Sequence, residues 1–372
     1  MPWEEATSQL QRGLDMEEGP LFRAAQIGGR LVFVAHHLIF DVVSWRVFLE
    51  DVLADYLTGK PAGRGFSIAA WAHHLCQTIE QGDWNHEIGY WTEAAAQVRK
   101  AVGMRERPTS GSGWRRRVFT ASLDAAQTAA LEAAQQTHDF RIPEVLLAAL
   151  SLAWNEVFRE ASLPVSMEGH GREADGIDSR DETMDLSRSI GWFTSQFPVV
   201  LTLQSVRSPV EARGSAPPVA RDSTPCLGFG LLRWLHDDRS VRERLALDSF
   251  AMVGFNYLGS FEAAMPALGG FRISPLSAGE EQDSEEIPAH WLEVNARIQN
   301  GLLEVSFAAA EPAPAEEGEI PVVSRFAHYL GALLDSLASA DGQSRLRSTE
   351  AGFTLDEASL AAIYADLKEF QL

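Results

Sequence analysis

The stretch LVFVAHHLIFDVVSWRVFLEDVL, residues 31–53, predicts a strand, a short polar turn and a helix in immediate succession. Its apolar start leads directly into His36 and His37, and Asp41 then stands where a carboxylate caps the first turn of a helix. After Asp41, apolar residues recur three and four positions apart, which is the spacing of one helical face. The predicted face consists of Val43, Val47, Val52, Leu53, Tyr56 and Leu57. The stretch therefore brings two imidazoles to the junction of a strand and a helix.

The rest of the chain also mixes strands with helices, so the predicted fold class is α/β. Two pairs, Gly28-Gly29 and Asn300-Gly301, mark tight hairpin turns between runs with a strand pattern. The apolar run of residues 143–159 predicts a buried helix with proline in its first turn. Further predicted elements are strands in WRRRVFTASL (114–123) and LPVSMEG (163–169), an aromatic-rich helical segment (66–95) and a final amphipathic helix (326–337).

Composition bounds the size, the partners and the compartment of the protein. The chain has 372 residues, of which 45% are hydrophobic, and this suffices for two lobes. A formal net charge of −21 argues against nucleic acid or an anionic membrane surface as a partner. No apolar stretch reaches the roughly 18 residues of a membrane helix, the N-terminal sequence lacks a secretory pattern, and Cys76 and Cys226 lack a metal-ligand spacing. We therefore expect a cytoplasmic protein with reduced cysteines and no metal site.

The first candidate site is the pair His36 and His37 followed by Asp41. Successive strand residues point to opposite faces, so only one of the two histidines can face a given cavity. An imidazole that titrates near neutral pH is the usual general base, and an acidic neighbour can fix its tautomer. A second pair, His73 and His74, has no aspartate four residues on and is interpreted as structural.

The second candidate site is the run EGHGRE, residues 168–173. Two glycines flank His170 and allow the backbone a close approach, so that Glu168, His170 and Arg172 would converge at a strand end. The alternative is a solvated polar turn. By themselves these residues leave both interpretations open.

Four motifs, in order along the chain, resemble the condensation/epimerization superfamily of nonribosomal peptide synthesis. The first stretch is similar to its HHxxxDG core, and the other three are similar to motifs of the epimerization type. The resemblance extends from about Leu14 to Leu337. The motifs are HHLIFDVVSWRVFLEDV (36–52), MEGHGRE (167–173) with DLSRSIGWFTSQFPV (185–199), PCLGFGLLRWL (225–235) and VGFNYLGSFE (253–262).

The resemblance implies a two-lobed fold like that of chloramphenicol acetyltransferase, with mixed sheets and a tunnel between the lobes. A partial N-terminal lobe would occupy residues 1–105 and a C-terminal lobe residues 106–345, followed by a connector over residues 346–372. The implied activity is interconversion of the L and D forms at the α-carbon of an aminoacyl or peptidyl thioester. The thioester would arrive on the phosphopantetheine arm of a carrier protein or synthetase module, so the protein would need no cofactor of its own.

The same resemblance implies a set of site residues. Inversion requires two acid/base groups that flank one carbon, and the motifs assign these roles to His37 and Glu168. By the same match, His36 and Asp41 would be supporting residues, and Arg172 would brace the tunnel through an ion pair. Asn256 and Tyr257 would lie near the thioester and stabilise an oxyanion or relay protons. Trp192 and Ser195 would shape the tunnel floor.

Three features depart from the family pattern. Val42 replaces the glycine of the histidine motif, and a β-branched residue is a poor substitute where positive φ or close approach is needed. Only 35 residues precede the motif, against about 100 in the family, so the first lobe is expected to be incomplete. Residues 205–225 are predicted to form a polar loop, where the family normally has a basic helical run. Two alternatives therefore stay open: a condensation-type acyltransferase that forms an amide between carrier-bound substrates, and an inactive remnant or docking module.

Overall fold

The fold is taken from a computed structural model. It describes residues 2–60, 63, 65–102, 114–137, 140–172, 184–202, 225–260, 271, 274, 276, 278–279, 289–312, 320–338, 346–347 and 354–355. Most of the predicted polar loop (205–225) and most of the predicted connector (346–372) lie outside these residues. No helix in the described ranges is long and apolar enough to cross a lipid bilayer.

The chain divides into two compact units. The first contains residues 1–77, 170–194 and 261–286, and the second contains residues 78–169, 195–260 and 287–372. This division differs from the predicted ranges, because residues 78–105 join the second unit and residues 170–194 join the first. The reason is tertiary: the helix after residue 87 packs on strands of the second unit, and Arg172 pairs with Asp41 of the first.

The first unit is built on a β-hairpin and a helix. Gly28 and Gly29 have φ values of 56° and 79°, as a tight primed turn requires, and the predicted hairpin is confirmed. Asp41 caps the helix that follows, as predicted, because its side chain accepts a hydrogen bond from the Ser44 amide. The elements are α1 (Trp3–Arg12), β1 (Phe22–Ile27), β2 (Arg30–Ala35), a 3-10 turn (His37–Ile39), α2 (Val42–Thr58) and most of α3 (Ile68–Gln81).

An aromatic cluster joins the hairpin to α2. Phe22 and Phe33 on the strands contact Phe48 on the helix, while Phe40 and Trp45 extend the cluster toward the start of α2. Neighbouring ring centroids lie between 4.7 and 6.3 Å apart, the range of favourable aromatic pairs. This packing fixes where the strand ends and therefore where the two histidines lie.

The second unit is a six-stranded mixed sheet with helices. The strand order is β3-β8-β7-β6-β4-β5, with β6 parallel to both β4 and β7 and the other pairs antiparallel. The strands are β3 (Trp114–Leu123), β4 (Ser162–Gly169), β5 (Ser195–Thr202), β6 (Val253–Ser260), β7 (Leu292–Gln299) and β8 (Leu302–Pro312). The helices are α4 (Ile88–Ala101), α5 (Ala125–Thr137), α6 (Ile142–Phe158), α7 (Pro225–Trp234), α8 (Arg239–Arg244) and α9 (Pro321–Ala338). The short strands β9 (Leu346–Arg347) and β10 (Thr354–Leu355) pair with each other.

The core of this unit lies between the sheet and its helices. Every residue of α6 from Glu144 to Trp154 is buried, which confirms the predicted buried helix. Phe307 of β8 packs edge-on against Phe326 of α9, and the aromatic side chains of β5 and α4 meet in the same way. The strands and helices together confirm the α/β class with a mixed sheet.

Candidate functional site

The two histidines of the first unit have different environments. β2 ends at Ala35, and His36 caps the short 3-10 turn, because its Nδ1 accepts a hydrogen bond from the Leu38 amide at 3.1 Å. His37 is exposed, and its ring centroid lies 5.1 Å from that of Trp192, which is itself 48% exposed. His36 is therefore committed to the turn, whereas the imidazole of His37 is accessible.

Both carboxylate oxygens of Asp41 accept hydrogen bonds from backbone amides, one of them at the start of α2. Its Oδ1 accepts from the Ser44 amide at 2.7 Å, and its Oδ2 accepts from the Phe193 amide at 3.1 Å. Arg172 donates two further bonds, at 2.7 and 2.8 Å, and the side chains of this pair are only 5% and 4% exposed. The carboxylate is thus occupied by these donors and supports the local backbone.

The charge state of Asp41 follows from these contacts. Burial alone raises the pKa of the carboxyl group, but the hydrogen bonds from Arg172 and Ser44 and the guanidinium charge outweigh it. The pKa therefore lies below its ordinary value, and Asp41 is ionised at neutral pH. The ion-pair partner of Arg172 is Asp41, and the bracing of a tunnel by Arg172 stays a prediction.

The segment that presents Trp192 is tied to α2 by residues that the sequence did not single out. The buried Ser44 hydroxyl donates to the Gly191 carbonyl at 2.8 Å and accepts from the Gly191 amide at 3.0 Å. A β-carbon on Gly191 would lie 2.4 Å from Ile68, so the close packing requires glycine. The only sequence signal for these roles was their presence in the matched motifs.

Val42 is the first residue of α2. Its φ is not positive, since the residues other than glycine that have positive φ in the described ranges are Arg159 and Asn300. The backbone at this position therefore imposes no need for glycine. Whether the valine side chain hinders an incoming substrate stays a prediction.

In the second unit, Glu168 lies near the end of β4 and is held by two amide side chains. Gln196 of β5 donates to its Oε1 at 3.1 Å, and Asn256 of β6 donates to its Oε2 at 2.6 Å. Glu168 is half-buried, so the carboxylate keeps a face that a ligand can reach. Gln196 was not predicted as a site residue.

Strand register explains why these three side chains meet. Glu168 stands directly opposite Gln196, and the parallel pairing of Met167 with Phe255 brings Asn256 beside Glu168. Because side chains alternate along a strand, all three project from one face of the sheet. The intervening residues, such as Met167 and Phe255, are buried on the other face.

Tyr257 does not share the face of Asn256, because adjacent residues of a strand point in opposite directions. Burial and, secondarily, the charge of Glu132 raise the pKa of the Tyr257 phenol to about 12, so it remains a protonated donor. Asn256 and Tyr257 were both predicted to lie near the thioester, but only Asn256 lies beside Glu168. The Ser195 hydroxyl is buried without a hydrogen bond to the described residues.

The sequence model of the condensation domain family matches residues 3–351. The chain belongs to the condensation domain family. A linear gramicidin synthase of Brevibacillus parabrevis is 31% identical over 375 residues, which cover 95% of this chain and 5% of that protein. Tyrocidine synthase 2 of the same organism is 28% identical over 356 residues, covering 91% of this chain and 10% of that protein.

Solved structures of family members have the same fold. The epimerization domain from the third module of tyrocidine synthetase B has a TM-score of 0.73 at 25% identity, covering 90% of this chain and 76% of that one. The first condensation domain of the CDA synthetase has a TM-score of 0.55 at 17% identity, covering 90% and 72%. The family and the fold predicted from the four motifs are confirmed. The chain is thus a condensation-type domain of nonribosomal peptide synthesis, and it spans only 5% to 10% of the two synthases it was compared with.

Proposed function

We propose that this condensation domain epimerises the α-carbon of an aminoacyl or peptidyl thioester carried on the phosphopantetheine arm of a carrier protein. The observation that carries the proposal is the carboxylate of Glu168, held at both oxygens by Gln196 and Asn256 on one face of the sheet. The similarity to a solved epimerization domain supports it.

The chemistry requires one proton to leave and one to return. The thioester carbonyl acidifies the α-hydrogen, so a base can remove it and leave an enolate. A protonated group on the opposite side then delivers a proton to the same carbon, and the configuration is inverted with no net change in protons. We assign these two roles to His37 and Glu168, and a reverse turnover exchanges them.

The surroundings of Glu168 suit this task. A carboxylate has about four acceptor sites, so two amide hydrogen bonds orient it and still leave lone pairs for a proton. Amide donors orient the carboxylate without adding a positive charge, which would make the carboxylate a weaker base. Asp41 and Arg172 have a supporting role, since they fix the start of α2 immediately after the histidine turn.

The direct test is exchange of the α-hydrogen in deuterated water, with the protein and an aminoacyl-loaded carrier. We expect deuterium to enter with the wild-type protein. Because each base removes the α-hydrogen of one configuration, Glu168→Gln and His37→Ala should each slow entry by at least 100-fold for one of the L and D substrates, roughly the scale of a missing general acid or base. His73→Ala, a histidine exposed on α3, is the matched control and should leave exchange unchanged. Exchange no faster than the blank in the wild-type reaction rejects the proposal.

A second candidate function is amide formation between two carrier-bound substrates. The observation that favours it is the match of nearly the whole chain to the condensation domain family, together with an accessible His37. In that reaction His37 assists attack of an amine on the donor thioester, and Glu168 has no evident role. Detection of an amide product with two loaded carriers distinguishes it, and carrier binding without either reaction indicates a docking module.

A further inference from the structure

A continuous row of polar side chains crosses all six strands of the large sheet in the second unit. Pairing aligns Glu168 with Gln196 on β5, and the next strands continue the row on the other side of Glu168. Asn256 stands opposite Asn295 of β7, which stands opposite Ser306 of β8, which in turn stands opposite Thr120 of β3. We call this set the polar row: Gln196, Glu168, Asn256, Asn295, Ser306 and Thr120.

The adjacent rows on this face differ from it. On one side, β7, β8 and β3 carry Arg297, Glu304 and Ser122, of which Arg297 and Glu304 pair with each other with side chains 47% and 43% exposed. On the other side, one pleat away, stand Pro198, Ser166, Gly254, Glu293, Ala308 and Val118. The intervening residues on the opposite face are apolar, and two of them, Phe197 and Phe307, pack against α4 and α9. The line that contains the carboxylate is therefore distinguished by half-buried polar side chains on β7 and β8 that take no part in an ion pair.

The members of the polar row differ in how their hydrogen-bonding groups are used. Gln196 and Asn256 are bonded to Glu168, whereas the side chains of Asn295 and Ser306 make no hydrogen bond with any other described residue. Both are half-buried rather than fully solvated. A carboxamide and a hydroxyl each offer a donor and an acceptor, the complement of a secondary amide with its N–H and C=O.

The spacing of the row matches a chain of amides that lies across the strands. Adjacent strands are about 4.8 Å apart, so β7 lies about 10 Å and β8 about 14 Å from β4, the strand of Glu168. In a phosphopantetheine arm, the two amides are separated by two methylenes, a repeat of about 5 Å when extended. A peptide repeats its amides about every 3.5 Å, which fits the strands less well.

We propose that Asn295 and Ser306 bind the secondary amides of the thioester substrate, as a track that leads away from Glu168. This inference rests on the proposed function, because it takes the α-carbon to lie at Glu168. The amides can belong to the pantetheine arm or to a peptidyl group, and the strand spacing favours the arm.

The test measures equilibrium binding by calorimetry, with stable probes in which an amide replaces the thioester. The first probe is aminoacyl-aminopantetheine. The second is a truncated analogue that lacks the pantetheine amide farther from the aminoacyl group. The third is the same truncated analogue with a dipeptidyl group in place of the aminoacyl group. Asn295→Leu and Ser306→Ala should each weaken binding of the first probe about 3- to 10-fold, the effect of one hydrogen bond. Gln299→Leu and Ser122→Ala, on the same face but outside the polar row, are the matched controls and should not.

The probes separate the possible sources of the amides. Weakening confined to the pantetheine probe identifies the arm, and weakening confined to the dipeptidyl probe identifies the peptidyl group. If the first and third probes bind Asn295→Leu and Ser306→Ala as tightly as they bind the wild-type protein, the inference is overturned. A wild-type protein that binds none of the three probes also overturns it. Because no turnover is needed, a wild-type protein that binds the probes but exchanges no α-hydrogen retains the track and rejects the epimerase.

Discussion

Removing Arg172 from its ion pair with Asp41 should strongly destabilise the first unit, because it leaves a buried carboxylate unpaired. Replacing Arg172 by methionine preserves much of the side-chain volume but leaves a nearly inaccessible carboxylate without its cation. It also removes the bonds from the guanidinium to Ser44 at 3.1 Å and to the Ser189 carbonyl at 3.2 Å. Breaking a buried pair from one side costs about 3–5 kcal/mol.

Amide hydrogen exchange over residues 42–58, the helix capped by Asp41, reports this loss locally. Each 1.4 kcal/mol corresponds to about a factor of ten, so exchange in α2 should accelerate by roughly 140- to 3,700-fold. The double variant Asp41→Asn/Arg172→Met should be less destabilised than the sum of the single variants, because no unpaired charge remains. Arg239→Met, which removes an exposed ion pair with Glu243, is the control and should cost less than about 1 kcal/mol.

The pH dependence of the same pair has a definite sign. The folded pKa of Asp41 lies below its ordinary value of 3.8, so its stabilisation is complete above that value and disappears as the pH falls through the folded pKa. The advantage of the wild-type protein over Asp41→Asn should therefore vanish only in strong acid. An Arg172→Met protein whose α2 exchanges at the wild-type rate at neutral pH would refute the assignment of the pair as a structural lock.

Three further predictions concern other residues. Glu87 is 1% exposed and accepts a hydrogen bond from Trp91 at 2.7 Å, and burial raises the pKa of its carboxyl group. The wild-type protein should therefore lose stability as the pH rises above 4.5, and thermal melts of Glu87→Gln should depend less on pH. Melting temperatures of the two proteins that change in parallel with pH would contradict this. Gln196→Leu should slow α-hydrogen exchange about 10-fold, because it removes the hydrogen bond to one oxygen of Glu168, and the substrate concentration at half-saturation should change little. A change in that concentration with an unchanged maximal rate would instead assign Gln196 to substrate binding. Gly191→Ala should lower the melting temperature, since its β-carbon would clash with Ile68; an unchanged melt would show that the contact relaxes freely.

Local sequence patterns predicted most of the elements. Gly28-Gly29 and Asn300-Gly301 predicted both hairpins, because few residues other than glycine and asparagine accept positive φ. Periodicity was less informative about burial: Tyr56 and Leu57 belong to the predicted apolar face of α2, yet they are 72% and 53% exposed. A period shows which residues share a face, but it does not show whether another element covers that face.

The site was predictable only where a motif contained it. Glu168, His37 and Gln196 all lie in matched motifs, but the role of Gln196 depends on the register between β4 and β5, which no local pattern specifies. The division into compact units likewise depends on contacts between residues far apart in sequence. The pair of Asp41 and Arg172 joins residues 131 positions apart and places the segment after β4 in the first unit.

The most direct measurement of the central claim starts from carrier-bound substrates of pure L and pure D configuration and follows each by chiral analysis. Two-base catalysis by His37 and Glu168 predicts that both starting forms converge on one common L/D ratio with the wild-type protein. Glu168→Gln should leave each form at its starting configuration over the same period. Inversion by Glu168→Gln at the wild-type rate, or no inversion by the wild-type protein, would contradict it.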